Sequence, residues 1–212
     1  MKANRGQIEK ALRAPTGTRF FLLHGPDEAG SRALVSLLAH AMGAEAERVD
    51  LTGAELRSDP ARLADEAASI SLFGGARYIV VEANGDEATA AVEALLEAPV
   101  AGNPVAIVAG ALKPASRLLK LALAETSALV FASYVPEGRE ADQIVLEIAR
   151  ADGLTMRPDT ARRIAENAGG NRAVVELELS KFALFLDAAP ERPKEGDHDV
   201  VDLLGAASEE GD

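Results

Sequence analysis

Short apolar runs alternate with helix-type segments over the first 135 residues of the chain, and this alternation limits the possible folds most. Four runs are apolar almost throughout and have the length of a strand. They are 19–24, 77–82, 104–109 and 128–134, with a shorter strand candidate at 48–51. Strands that are apolar on both faces and alternate with amphipathic helices favour a parallel sheet covered by helices on both sides. We therefore predict an α/β fold.

The segments between the runs carry apolar residues at helical spacing. Predicted helices cover 1–14, 30–42, 58–73, 87–97 and 114–124. The middle helix is predicted to start near Pro60, because proline suits the first helical turn, and to end at about Phe73, where two glycines follow.

The pattern changes after residues 136–138, where three predicted helices follow and no strand is evident. Asn171 is predicted to cap the last of these helices. Its apolar stripe consists of Val175, Leu179, Phe182 and Leu186. We therefore predict an α/β domain over 1–137, a small all-helical domain over 138–187 and an acidic linker from 188 to 212.

Composition excludes several classes of function. Cysteine is absent and the three histidines lie far apart in sequence. Disulfides, thiol nucleophiles and zinc sites with cysteine ligands are therefore excluded, and we predict no metal site and no cofactor. A net charge of −12 supplies no cation excess for the DNA backbone. The apolar runs are too short to span a membrane and the first ten residues lack a signal-peptide core, so we expect a cytoplasmic protein.

A loop with two glycines follows the first predicted strand and precedes a helix. Gly25 and Gly30 have the spacing and context of a phosphate-binding loop. Such a loop needs a lysine for the outer phosphates and a hydroxyl for Mg²⁺, but Ser31 and Arg32 stand at those two positions. Two carboxylates between the glycines repel a triphosphate. We predict a degenerate loop, without catalytic residues, that neither binds nor hydrolyses ATP.

Four segments, in the same order along the chain, resemble the delta-subunit family of bacterial DNA polymerase III. They are 21–27 (FLLHGPD), 59–77 (with DPARL and AASISLFGGAR), 112–116 (LKPAS) and 169–182 (with GGNRAV and ELSKF). The resemblance covers nearly the whole chain and implies an AAA+-like module: a RecA-type parallel sheet flanked by helices, followed by a small all-helical lid. The absence of cysteine favours this family over its relatives that carry a four-cysteine zinc insertion.

The resemblance also implies partners. Members of that family do not hydrolyse ATP; they bind the ring-shaped sliding clamp (beta subunit) and help to open one of its interfaces. It implies clamp contact through Ile70, Ser71, Leu72 and Phe73, assembly with the clamp-loader ATPase and delta-prime subunits, and DNA contact only within the assembled loader. The family has a third, helical collar domain, so we expect 188–212 to contain only its beginning.

Helical spacing makes a separate prediction for the clamp-contacting residues. Leu63, Ala67 and Ile70 fall on one face of the predicted helix, which is predicted to face the core. Phe73 continues that face, whereas Leu72 lies about 200° around the helix from Ile70. Leu72 is therefore predicted to be free to meet a partner. The alternative is that it packs under the glycine turn that follows.

Two other functions remain open from the sequence. One is a weakly active P-loop NTPase that uses Gly25, Gly30 and Arg32, with Glu82 in place of the usual metal-binding aspartate. The other is an AAA+-like scaffold that binds a different protein. Titration with nucleotide distinguishes the NTPase from a clamp-loader subunit. A measurement of binding to the sliding clamp distinguishes the scaffold from a clamp-loader subunit.

Overall fold

A computed structural model of the chain describes residues 1–71, 74–99 and 102–196. It divides into two compact units, Met1–Tyr134 and the residues from Val135 onward. This division lies three residues before the end of the α/β domain predicted over 1–137. The two units are described separately.

The first unit contains a sheet of five parallel strands in the order β2-β3-β4-β1-β5. Its strands are β1 (Phe20–His24), β2 (Glu47–Thr52), β3 (Arg77–Ala83), β4 (Val105–Ala109) and β5 (Ala128–Ala132). Its helices are α1 (Arg5–Arg13), α2 (Glu28–Met42), α3 (Gly53–Ser58), α4 (Ala61–Ala68), α5 (Thr89–Glu97) and α6 (Arg117–Ala124), with a 3-10 turn at Asp86–Ala88. The predicted parallel α/β fold is confirmed.

The central strand β1 explains why its sequence is apolar without interruption. Alternate side chains of a strand point to opposite faces of the sheet. Phe20 and Leu22 are buried in a core with residues of α3 to α6, whereas Phe21 and Leu23 are buried in a second core with residues of α1 and α2. Both faces of β1 are therefore covered, and its carboxyl end is fixed near the middle of the sheet.

The predicted helix over 58–73 is wrong in its extent. The preceding helix α3 ends at Ser58, α4 begins at Ala61, and α4 ends at Ala68. The side chain of Asn103, from a distant segment, binds carbonyl groups at the end of α4. Apolar spacing within the helix cannot predict such a contact.

In the second unit, the described residues up to Gly196 form three helices, α7 (Arg139–Ala151), α8 (Pro158–Asn167) and α9 (Arg172–Leu186). Their core includes Val145, Ile164, Leu179 and Phe182. Asn171 caps α9 as predicted, because its side-chain oxygen accepts a hydrogen bond from the Ala173 N–H.

The expectation that the second unit is all-helical needs a correction. Two short strands, β6 (Leu154–Thr155) and β7 (Lys194–Glu195), pair in parallel. The predicted linker is thus tied to the unit as far as Gly196, whose N–H donates to the carbonyl of Thr155. The Thr155 hydroxyl also donates to the carbonyl of Lys194 at 3.2 Å. Strands of two residues are too short to show an alternation of polarity, so the sequence pattern does not predict this pairing. The remainder of the predicted linker, 197–212, lies outside the described residues.

In the described residues, none of the helices combines the length and the apolar character that a membrane span requires.

Candidate functional site

The glycine loop begins where β1 ends and closes on a backbone segment after β5. Gly25 has φ +135°, and a Cβ at this position would lie 2.0 Å from the carbonyl oxygen of Ser133. Only glycine fits here, because a side chain would be strained by the backbone angle and would collide with fixed backbone. The first glycine of the motif is therefore required by the packing of the protein itself.

The carboxylate of Asp27 lies inside this loop. Its Oδ1 accepts a hydrogen bond from the Gly30 N–H at 2.8 Å, and the Ser133 hydroxyl donates to its Oδ2 at 3.3 Å. The Asp27 residue is only 6% exposed. In a nucleotide-binding loop the N–H groups at the start of the helix bind a phosphate. Here the carboxylate of Asp27 occupies that position at the N-terminus of α2.

The second glycine of the motif serves the same contact. A Cβ at Gly30 would lie 1.9 Å from Oδ2 of Asp27. Glycine at this position lets the carboxylate approach the first turn of α2. The sequence analysis counted Asp27 as a negative charge in the loop but did not predict that its carboxylate binds the Gly30 N–H. The preference of aspartate for helix N-caps was the available signal.

Arg32 and Glu82 pair with each other. The Arg32 guanidinium donates to Glu82 Oε1 at 3.4 Å and to Glu28 Oε2 at 3.3 Å. A single cation therefore faces two carboxylates, and its side chain is half exposed. This arrangement gives Arg32 no surplus of positive charge for a phosphate.

Ser31 occupies the position of the phosphate-binding lysine and is 1% exposed. Its hydroxyl has no hydrogen-bond partner among the described residues. The four predicted residues of the degenerate loop, Gly25, Gly30, Ser31 and Arg32, thus lie together at the carboxyl end of β1. Asp27 and Arg32 are paired within the protein, whereas the buried Ser31 hydroxyl has no partner among the described residues.

A second aspartate caps a helix at the carboxyl end of the sheet. Asp86, in the turn after β3, accepts hydrogen bonds from the Ser116 hydroxyl and from the N–H groups of Arg117 and Leu118 at the start of α6. The Ser116 hydroxyl, followed by the Arg117 N–H, holds the pKa of Asp86 below its ordinary value. The sequence contains no signal for this contact, because Asp86 and Ser116 are thirty residues apart.

No group of three or more His, Asp or Glu side chains in the described ranges could hold a metal ion.

The segment that the resemblance connects to the clamp begins at the C-terminus of α4. The side-chain amide of Asn103 donates to the carbonyls of Glu66 at 3.1 Å and Ser69 at 2.7 Å, and its backbone N–H donates to the carbonyl of Ala67 at 3.0 Å. These bonds satisfy carbonyl groups that a continuing helix would use, and Ser69 is already extended. Asn103 therefore fixes the end of α4.

Arg77 holds the same helix to the sheet. Its guanidinium lies 2.6 Å from Glu66 of α4 and 3.3 Å from Glu47 of β2. The Arg77 side chain is 12% exposed, so this cluster is shielded from solvent more than a surface ion pair. The end of α4, which precedes the predicted contact segment (70–73), is thus anchored to β3 through Arg77, and Arg77 is itself paired with Glu47 of β2.

Ile70 is 88% exposed, which contradicts its predicted place on the buried stripe of Leu63 and Ala67. The physical reason is that α4 ends at Ala68, so helical spacing no longer applies at position 70. Ser71 is buried. Leu72 and Phe73, the other two predicted contact residues, lie outside the described residues.

Solved structures share the fold of this chain. The Bacillus subtilis DNA clamp loader delta protein (YqeN) is similar with a TM-score of 0.62 at 15% identity, over 93% of this chain and 61% of that chain. The Thermotoga maritima RuvB Holliday junction branch migration motor is similar with a TM-score of 0.56 at 16% identity, over 94% of this chain and 65% of that chain. This chain therefore spans less than two thirds of each.

No protein-family model matches the chain, and no curated protein matches it. At such low identity, structural similarity establishes the fold alone. The chain has a RecA/AAA+-like fold.

Proposed function

We propose that this chain is a non-catalytic clamp-loader subunit of the DNA polymerase III holoenzyme. In this function it binds the sliding clamp (beta subunit), helps to open it, and assembles with the ATPase and delta-prime subunits in the cytoplasm. It contacts DNA only within that assembly. The four resembling sequence segments support the proposal, and so does the fold shared with a clamp loader delta protein.

The observation that carries the non-catalytic part is the position of Asp27. Its carboxylate binds the Gly30 N–H where a phosphate would bind, and Ser133 supports it from the other side. A nucleotide would have to displace this buried pair and would gain no lysine in return. A partner-binding function needs no such displacement.

The exposed side chain of Ile70 supports the partner-binding part. It follows a helix end that Asn103 fixes, so the segment that starts there leaves α4 at a defined place. An apolar side chain held in solvent on an anchored segment is typical of a residue that a partner buries. We assign the clamp contact to Ile70, Ser71, Leu72 and Phe73.

Surface plasmon resonance against the sliding clamp of the same organism tests the proposal. The parent chain should bind. Ile70→Asp should weaken binding about tenfold or more, because a carboxylate would have to be desolvated in an apolar pocket. Ala61→Asp is the matched control, since Ala61 is exposed at the other end of α4. The control should bind like the parent.

If the folded parent chain did not bind the clamp, the proposed function would be wrong. If both aspartate variants bound equally well, the function would stand and the contact would lie elsewhere.

Isothermal titration with Mg-ATP tests the non-catalytic part. We expect no binding at low micromolar concentration and no release of phosphate. Saturable binding with turnover would instead support the P-loop NTPase that uses Arg32 and Glu82.

A further inference from the structure

The two edge strands of the sheet differ in what covers their outer side. At the β5 edge, the Val130 N–H donates to the carbonyl of Met1 at 2.9 Å, and the Ala3 N–H donates to the carbonyl of Val130 at 2.8 Å. At the opposite edge, the only strand that pairs with β2 in the described residues is β3. An edge strand with unpaired N–H and C=O groups is a template for pairing with another strand.

The outward backbone groups of β2 belong to Arg48 and Asp50. The Glu47 N–H donates at 2.9 Å to the carbonyl of Ala76, which leads into β3. Because successive residues of a paired strand bond alternately to one side and the other, Glu47 and Val49 bond toward β3. The N–H and C=O groups of Arg48 and Asp50 therefore point away from β3, and no other described segment binds them.

The chain itself limits this open stretch at both ends. The Ala46 N–H donates to the carbonyl of Gly43 at 3.1 Å, and the Thr52 N–H donates to Glu55 Oε2 at 2.8 Å. Both donors are thus bound within the chain. The part of β2 that can accept a partner strand is residues 48–50, here called the β2 edge.

The charges of the β2 edge are complementary to those of a second copy. In an antiparallel pair with Val49 on a two-fold axis, Arg48 of each copy lies directly opposite Asp50 of the other. Opposite charges at such positions stabilise a strand pair. A shift by two residues would place two Arg48 or two Asp50 side chains opposite each other, and like charges destabilise the pair. The favourable register is therefore the symmetric one, and symmetry of this kind is usual in dimers.

The two charged side chains are positioned for this exchange. The Arg48 guanidinium lies 2.7 Å from Asp50 Oδ1 of the same chain, and 47% and 61% of the two side chains are exposed. Both therefore lie on one face of β2 and are open to a partner. Charged residues on an edge strand commonly prevent pairing between copies. Here the signs differ at an interval of two residues, so an antiparallel copy presents each charge with its opposite.

The backbone supports the same register. Opposite residues whose groups point outward exchange two N–H···O=C bonds, so each of the two Arg48–Asp50 pairs is held by two hydrogen bonds. The two Val49 side chains then face each other at a non-hydrogen-bonded position, where side chains are closest. Val49 also packs against the core that β2 shares with α3 to α6. The contact thus extends an apolar layer from one copy to the other.

We propose that β2 pairs with β2 of a second copy in this antiparallel register and joins the two sheets into one. The interface is short, so the dimer is weak and depends on protein concentration. The net charge of −12 on each chain opposes association. Salt at about 0.15 M screens charges that lie more than about 8 Å apart, so the close pairs in the β2 edge prevail. The proposal does not depend on clamp binding.

Exchange of the two charges tests the register in the full chain. Arg48→Glu alone and Asp50→Arg alone each place like charges opposite one another in the dimer. An equimolar mixture of the two variants restores both opposite-charge pairs, because the new carboxylate at position 48 faces the new guanidinium at position 50. Arg13→Glu is the matched control, since it makes the same charge change at an exposed site on α1. Sedimentation velocity from about 10 μM to about 1 mM protein measures association.

We expect the parent chain and the Arg13→Glu control to form a dimer reversibly as the concentration rises. Each single variant should dimerise at least about tenfold more weakly, and the mixture should recover parent-like association. Circular dichroism shows that each variant is folded. A parent chain that stayed monomeric up to about 1 mM would overturn the proposal. Parent-like association of either single variant, or a mixture that did not recover, would also overturn it, because the contact would then lie elsewhere.

Discussion

In the loop after β1, Asp27 pairs with Gly30 and Ser133, whereas the segment after α4 leaves Ile70 in solvent. Both regions belong to the first unit, and both lie at the end of a regular element. In the loop, the Gly30 N–H at the start of α2 is bonded to Asp27 of the protein itself. At the end of α4, hydrogen bonds fix the backbone while the apolar side chain remains exposed.

This difference distinguishes the structural role of the loop from the binding role that we propose for the segment after α4. Changes in the loop should lower the free energy of unfolding and leave partner binding intact. Changes in the contact segment should weaken partner binding and leave the free energy of unfolding nearly unchanged. The following variants test that separation.

Replacing Leu72 and Phe73 together by alanine should have the largest effect. Burial of each side chain in a partner contributes about 1.5–3 kcal/mol, so clamp binding should weaken by roughly two orders of magnitude or more. Surface plasmon resonance measures this loss, and thermal melting shows whether the fold persists. A folded double variant that bound the clamp like the parent chain would remove these residues from the contact.

Asp27→Ala should give the largest loss of stability. It removes the acceptor for the Gly30 N–H and the Ser133 hydroxyl in a buried loop, which costs about 2–3 kcal/mol. Asp27→Asn is the control, because asparagine is also a good N-cap and should lose less. Urea denaturation measures both, and clamp binding should be unchanged. Parent-like stability of Asp27→Ala would contradict the structural role of the loop.

Asn103→Ala should affect both properties to a smaller extent. Losing two amide hydrogen bonds to the end of α4 costs about 1–2 kcal/mol, and the contact segment would then start from a frayed helix. Asn103→Asp has the same size but lacks the amide donors, so it should resemble the alanine variant in both urea denaturation and clamp binding. An aspartate variant with parent-like behaviour would show that the amide donors are unimportant.

Asp86→Ala should have the smallest effect, about 1 kcal/mol at neutral pH, through the lost cap of α6. The pKa of Asp86 in the folded chain lies below its ordinary value. Its stabilising contribution is therefore present above pH about 4 and is lost as the pH falls through the folded-state pKa. Denaturation at a series of pH values from 7 downward should show the difference in stability between the parent and the variant shrinking as the pH falls through the folded-state pKa of Asp86. A difference that persisted at low pH would assign the effect to packing.

The sequence by itself determined the sheet and most of the helices. Periodic burial depends on a residue's own polarity and on its place in a strand or helix, so the runs that became β1 to β5 could be located without knowledge of their neighbours. Local caps such as Asn171 followed for the same reason, because the donor and the acceptor are adjacent in the chain.

Only the tertiary structure decided which loops meet. Ser133 reaches Asp27 across 106 residues, Ser116 reaches Asp86 across 30, and Asn103 reaches Ser69 across 34. Each contact is a short-range, directional hydrogen bond, and its partner is set by the order of strands in the sheet. Apolar spacing wrongly predicted Ile70 to be buried, because that prediction assumed that the helix continues to position 70. The amide of Asn103, which is distant in sequence, binds the end of α4 instead.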